Sequence, residues 1–173
     1  MQLPFGEWLP DQPDNLNPGA TVATNVYHAQ SSYKPVKGLV AYSGTSNVTQ
    51  NAKGAGSFRD NTNAVFTFVG TKDNIYKLTS GTFTSVKGSL TISGTDTDFF
   101  TFTQFGQYII ASNGVNAPMY YLMGTSTNFA TLQSIATAGT VPAKFRVSGV
   151  IRDFLVTGNI ENAKNKVAWS GIN

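Results

Sequence analysis

Few residues in this chain could carry covalent or acid–base chemistry. His28 is the one histidine, and in a hydrolase it would have to act as the base beside Ser31 or Ser32. Prolines flank that stretch and no strand-to-helix elbow surrounds the serines, so His28 reads as an arm residue making surface or interface contacts. A glycosidase needs two carboxylates at a controlled separation. Glu7 and Glu161 are the only glutamates, one in an N-terminal arm and one in a polar loop. Asp96 and Asp98 stand one residue apart in Gly94-Thr95-Asp96-Thr97-Asp98. A calcium loop needs more oxygen ligands and a glycine at its sharp turn, so this pair reads as a solvated turn, and Asp11 and Asp14 as turn residues between prolines. Gly54-Ala55-Gly56 lacks the spacing and the lysine of a phosphate loop. There are no cysteines, which removes disulfides, thiolate metal sites and a cysteine nucleophile. The expectation is a non-enzymatic protein with no cofactor and no metal.

Composition points the same way. Only 12% of the 173 residues are charged, about half the usual fraction. Thr, Ser, Asn and Gly supply the polarity, a mixture suited to strands and turns. A surface so poor in charge is weakly protected against association, so a stable assembly is expected. The formal charge is +3, and the twelve basic residues are thinly spread. A sequence-reading nucleic-acid protein would carry a denser stripe. The N-terminus lacks the basic and apolar regions of a secretory signal, and no apolar stretch is long enough for a membrane-spanning helix.

The elements that would position these residues repeat. Phe66-Thr67-Phe68-Val69-Gly70, then a turn, then Ile75-Tyr76-Lys77-Leu78 is echoed by Tyr108 to Gly114 with Met119-Tyr120-Tyr121-Leu122. It is echoed again by Phe154 to Asn159 with a longer polar loop and Lys166-Val167-Ala168-Trp169-Ser170. Aligning Phe68, Ile110 and Val156 gives steps of roughly 42 and 46 residues, the period of a four-stranded propeller blade. The expected fold is all-β, with antiparallel β-propeller-like blades, incomplete, preceded by an extended Pro-rich N-terminal arm. The arm is residues 1–38, which hold five of the seven prolines. Residues 39–173 are the propeller-like portion, about two complete blades and the start of a third. Strands are expected at Val40–Tyr42, 54–59, 65–69, 75–78, 83–86, 98–105, 108–112, 119–123, 129–132, 144–151 and 154–157. Ala20 to Tyr27 reads as a short strand or a turn of helix. The aromatics Phe66, Phe68, Phe100, Phe102, Tyr120 and Tyr121 could stack on bases, but their period of two reads as core between blades. Phe5 and Trp8, apolar in a polar arm, read as interface anchors. With Pro10, Asp11, Pro13 and Tyr33 they make up the candidate assembly interface.

Several dispersed stretches resemble one family. Trp8-Leu9-Pro10-Asp11-Gln12-Pro13-Asp14, Asn17-Pro18-Gly19-Ala20, Ala23-x-Asn25-Val26 and Ser32-Tyr33-Lys34-Pro35-Val36 look like the amino-terminal signature of phage tail hub or nozzle proteins. So do Phe102-Thr103-Gln104-Phe105-Gly106, Arg152-Asp153-Phe154-Leu155-Val156 and Val167-x-Trp169-Ser170-Gly171-Ile172-Asn173. The resemblance implies a virion structural protein, a β-propeller tail component of short-tailed phages that forms a homo-oligomeric ring of six. It implies docking to a tail adaptor and other tail proteins, and transient, non-specific passage of genomic DNA through the channel during ejection. Family members continue beyond Asn173 through further blades. The residues alone leave open a second function, an extracellular β-domain binding a host glycan or receptor through loops such as Asn113 to Pro118.

Overall fold

The computed structural model describes residues 7–171, apart from 14, 18, 21, 30, 31, 39 and 41–47. The chain divides into two units, Met1–Tyr42 and Ser43–Asn173. In the first, β1 (Val26–Ala29) pairs antiparallel with β2 (Ser32–Pro35), and Trp8 bridges Ala20. Of the stretch Ala20 to Tyr27, Val26 and Tyr27 lie in β1, Ala20 is a bridge residue, and Thr21 lies outside the described residues. Of the strand expected at Val40–Tyr42, Ala41 and Tyr42 lie outside the described residues.

The described residues of the second unit form three sheets, each built of strands consecutive in sequence and paired antiparallel. The first runs β3 (Gly54–Arg59), β4 (Val65–Gly70), β5 (Ile75–Thr79) and β6 (Thr82–Ser85). The second runs β7 (Thr101–Phe105), β8 (Tyr108–Ser112), β9 (Met119–Leu122) and β10 (Ala130–Thr131). The third has β11 (Phe145–Ile151), β12 (Phe154–Ile160) and β13 (Ala163–Trp169). The protein is all-β with open antiparallel sheets, none closed into a barrel, and the described residues contain no α-helix.

Turn chemistry sets the hairpins. Ser80 and Gly81 both adopt positive φ, 49° and 81°, which matches the primed turn that follows strand twist. Asp60 caps its own turn: its Oδ1 accepts from the Thr62 and Ala64 amides at 2.8 and 2.9 Å and from the Thr62 hydroxyl at 2.8 Å. The third sheet departs most from the sequence reading. A polar loop was expected after Asn159, but β12 runs to Ile160 and β13 starts at Ala163. Asn159 and Asn162 take left-handed backbone, φ 53° and 60°, which asparagine tolerates. The register shifts between Gly158 and Ile160, so the ladder absorbs residues whose polarity suggested a loop. Two other strands are shorter than expected. Strand β7 begins only at Thr101, and after Thr131 the chain tightens into a 3-10 turn, Leu132–Ile135.

The sheets pack side by side, β3 next to β7 and β7 next to β11. The period of two on β8 decides which neighbour each residue meets. Ile109 and Ala111 join Phe66, Phe68, Ile75, Tyr121 and Phe129 in one buried cluster. Ile110 joins Leu132, Phe145 and Leu155 in another. Phe66, Phe68, Ile75, Tyr121 and Phe129 together contribute on the order of 10 kcal/mol of transfer free energy by area bookkeeping.

Candidate assembly interface

The first unit is held by its backbone. Leu9 donates to the Ala20 carbonyl at 3.0 Å and Ala20 to the Glu7 carbonyl at 2.9 Å. Asn17 Nδ2 donates to the Leu9 carbonyl at 2.6 Å, and the Gly19 amide donates to Asn17 Oδ1 at 2.8 Å. A Cβ at Gly19 would collide with the Glu7 carbonyl oxygen, so the loop closes only around glycine. None of the side chains described in this unit is buried. Trp8 is 55% exposed, and Leu16, Val22, Tyr27 and Val36 are at least half exposed. Pro10, Asp11 and Pro13 are exposed and Tyr33 is partly buried, opposite His28 in the hairpin. Phe5 lies outside the described residues.

In the second unit, polar groups fasten one sheet to the next. Thr101 Oγ1 donates to the Arg146 carbonyl at 3.0 Å, and Thr103 Oγ1 to the Ser148 carbonyl at 3.1 Å. Gln104 Nε2 donates to the Arg59 carbonyl at 2.8 Å. All three links span 45 residues, so the sequence repeat reappears as contact spacing. Lys77 Nζ donates to the Tyr121 hydroxyl at 3.1 Å and lies 4.6 Å from the Phe66 ring centroid, within cation–π range. Sequence reasoning missed these fasteners, although the offset between like positions in the repeats could have pointed to them.

Four of the acids make bonds and ion pairs within the second unit. Asp98 accepts from the Thr95 amide and hydroxyl at 2.8 Å each, and pairs with Arg146 at 2.8 Å. The Thr95 bonds, then the Arg146 charge, hold its carboxyl below the ordinary aspartate value. Asp96 pairs with Lys53 at 3.3 Å, and Glu161 with Lys144 at 2.7 Å. Asp60 is likewise held low, chiefly by the Thr62 hydroxyl. Among the described residues, no group of three His, Asp or Glu side chains could hold a metal ion. Phe66, Phe68, Phe100 and Tyr121 are buried between the first two sheets, with Phe102 packed against them. Tyr120 packs against the second cluster. The Asn113–Pro118 loop is tied to itself and its neighbours. Asn113 Oδ1 accepts from the Val115 and Asn116 amides at 3.1 and 2.9 Å, and Asn116 Oδ1 accepts from the Ser93 amide at 3.1 Å. No family model and no curated protein matches the chain. Among the described residues, no helix is long and apolar enough to cross a membrane.

Proposed function

We propose that this chain is a virion structural protein, a tail nozzle or hub component whose copies form a ring around the DNA-ejection channel. The observation that carries the reading is the stacking of repeated meander sheets by their first strands, β3 to β7 to β11. That is how propeller blades surround an axis, and a repeat of this kind needs neighbours on both faces. The family resemblance in the arm and at Arg152 to Ser170 supplies the biological setting. The first unit, none of whose described side chains is buried, acts as the staple between copies or onto a tail adaptor, with Trp8, Pro10, Asp11, Pro13 and Tyr33 as its contact residues. Thinly spread positive charge suits a conduit that must release DNA rather than hold it.

The test is particle mass in solution, followed by imaging of virions carrying this chain with a label. The reading expects an oligomeric ring and label on the tail axis. A stable monomer at all concentrations, with no label on the particle, would overturn it and leave glycan or receptor binding as the better account.

A further inference from the structure

The gap between the second and third sheets is less filled than the gap between the first and second, and the repeat shows why. Setting Ile110 against Val156 matches Ile109 and Ala111 with Leu155 and Thr157. On β9 the partners of Ile109 and Ala111 are Tyr121 and Met119, both buried in the cluster shared with the first sheet. On the third sheet Thr157 pairs with Ala168. Leu155 pairs with Ser170: its amide donates to Ser170 Oγ at 3.0 Å, and the Ser170 amide donates to its carbonyl at 2.9 Å. Alanine and serine thus stand where methionine and tyrosine fill the preceding gap. What remains is a cleft of about 500 Å³, within the range of small-molecule sites.

One wall is apolar. Phe105, Tyr108 and Ile110 come to it from the second sheet, on the face that strand pairing gives them in common. By the same alignment Tyr108 matches Phe66, whose ring lies 6.3 Å from that of Tyr121 across the filled gap. With serine at the matching place, the ring partner of Tyr108 is Tyr120 of its own sheet, at 5.9 Å.

The opposite wall and the rim are polar but neutral. Thr157 and Ser170 bring hydroxyls, and Thr137 and Thr140 of the loop before β11 bring two more. Among the described residues, the amides of residues 137–140 have no hydrogen-bond partner, so the loop offers donors as well as oxygens. Gln133 Oε1 secures the end of that loop by accepting from the Val141 amide at 2.8 Å. No Lys, Arg, His, Asp or Glu lines the cleft. An ion would lose its water there without meeting a counter-charge. A wholly apolar guest would strip water from the hydroxyls and loop amides and return no bonds. The guest that suits both walls is neutral, ring-sized and rich in hydroxyls.

We infer that this cleft binds a neutral sugar, a pyranose whose C–H face lies on Tyr108 and whose hydroxyls bond Thr137, Thr140, Thr157 and the loop backbone. The face of an aromatic ring is its negative part and attracts polarised C–H groups. None of the lining residues belongs to the Asn113–Pro118 loop, and the site does not rest on the tail reading.

The probes are glucose, N-acetylglucosamine, cellobiose and chitobiose, titrated onto the full chain and followed by saturation-transfer NMR. At least one should bind with a Kd of about 1 mM or tighter, with saturation strongest on the C–H protons of one ring face. Ala168→Met restores the residue type of the filled gap, and should weaken binding by about tenfold or more while the melting temperature of the free chain stays the same or rises. Thr140→Val, on an exposed loop, should weaken binding without altering the melt, and keeps the test open if the methionine disturbs the fold. Glucuronate and indole should each bind more weakly than the best neutral sugar. Absence of binding by all of these sugars would overturn the inference. So would binding that both variants leave unchanged, or a preference for glucuronate or indole, because the site would then lie elsewhere or take a charged or apolar guest.

Discussion

Phe68 is the side chain on which the first pair of sheets most depends. It is fully buried, and its ring lies 5.0 Å from that of Tyr121 and 5.3 Å from that of Phe129, both edge-on. Phe68→Ala removes those contacts and leaves a cavity, so we expect a loss of about 3–5 kcal/mol in urea denaturation, as for other buried phenylalanines. Asp98 makes a different kind of link. Its carboxyl titrates below the ordinary value, so its stabilisation is complete above the unfolded-state pKa and is lost as pH falls through the lowered folded value. Stability curves for the wild type and Asp98→Asn should therefore be furthest apart near neutral pH and converge in acid. A gap that persists unchanged in acid would mean the charged carboxylate contributes nothing there.

At the scale of elements, the strands and hairpins of the first two sheets were legible because each signal was local. Alternating aromatics mark β4, Asp60 and Ser80-Gly81 mark turns, and the repeat marks equivalent strands. The third sheet was misread at Asn159 to Lys166 because a polar composition fits a loop and an exposed edge hairpin equally well. Only the backbone conformation of Asn159 and Asn162 separates them. The cross-sheet bonds of Thr101 and Thr103 were hidden for another reason: a threonine in a strand gives no sign of which neighbour its hydroxyl will reach. The arm residues proposed as contacts can be named from the sequence as a set, but a single chain carries no sign of what they would touch. Asn162 provides a check at this scale. Asn162→Val forces a branched side chain into left-handed backbone and should cost about 1–2 kcal/mol, whereas Asn162→Gly should be tolerated. Equal stability of the two variants in thermal melts would show that the turn is not held in this form.

At the scale of the whole molecule, the ring reading makes two demands. Trp8→Ala should weaken assembly by about 2 kcal/mol, the size expected of an interface anchor, and leave the melting of the isolated chain unchanged. Sedimentation of the variant across a concentration series measures this, and unaltered assembly would count against the arm as a staple. Duplex DNA should bind the assembled protein no more tightly than the range of about 10⁻⁴–10⁻⁶ M seen for non-specific contacts at physiological salt, and should weaken further as salt rises. Fluorescence anisotropy with two unrelated duplexes would show it, and a nanomolar, sequence-dependent constant would make this a DNA-binding protein instead. The order of the sheets also bears on synthesis. Each sheet is made of consecutive hairpins and packs on its neighbour in sequence, so folding can advance as the chain leaves the ribosome. A nascent chain released only to residue 95 still leaves Phe66 and Phe68 without Tyr121 and Phe129, their partners from the second sheet. That interval, before the second sheet closes over the first, is when the growing chain most needs a chaperone.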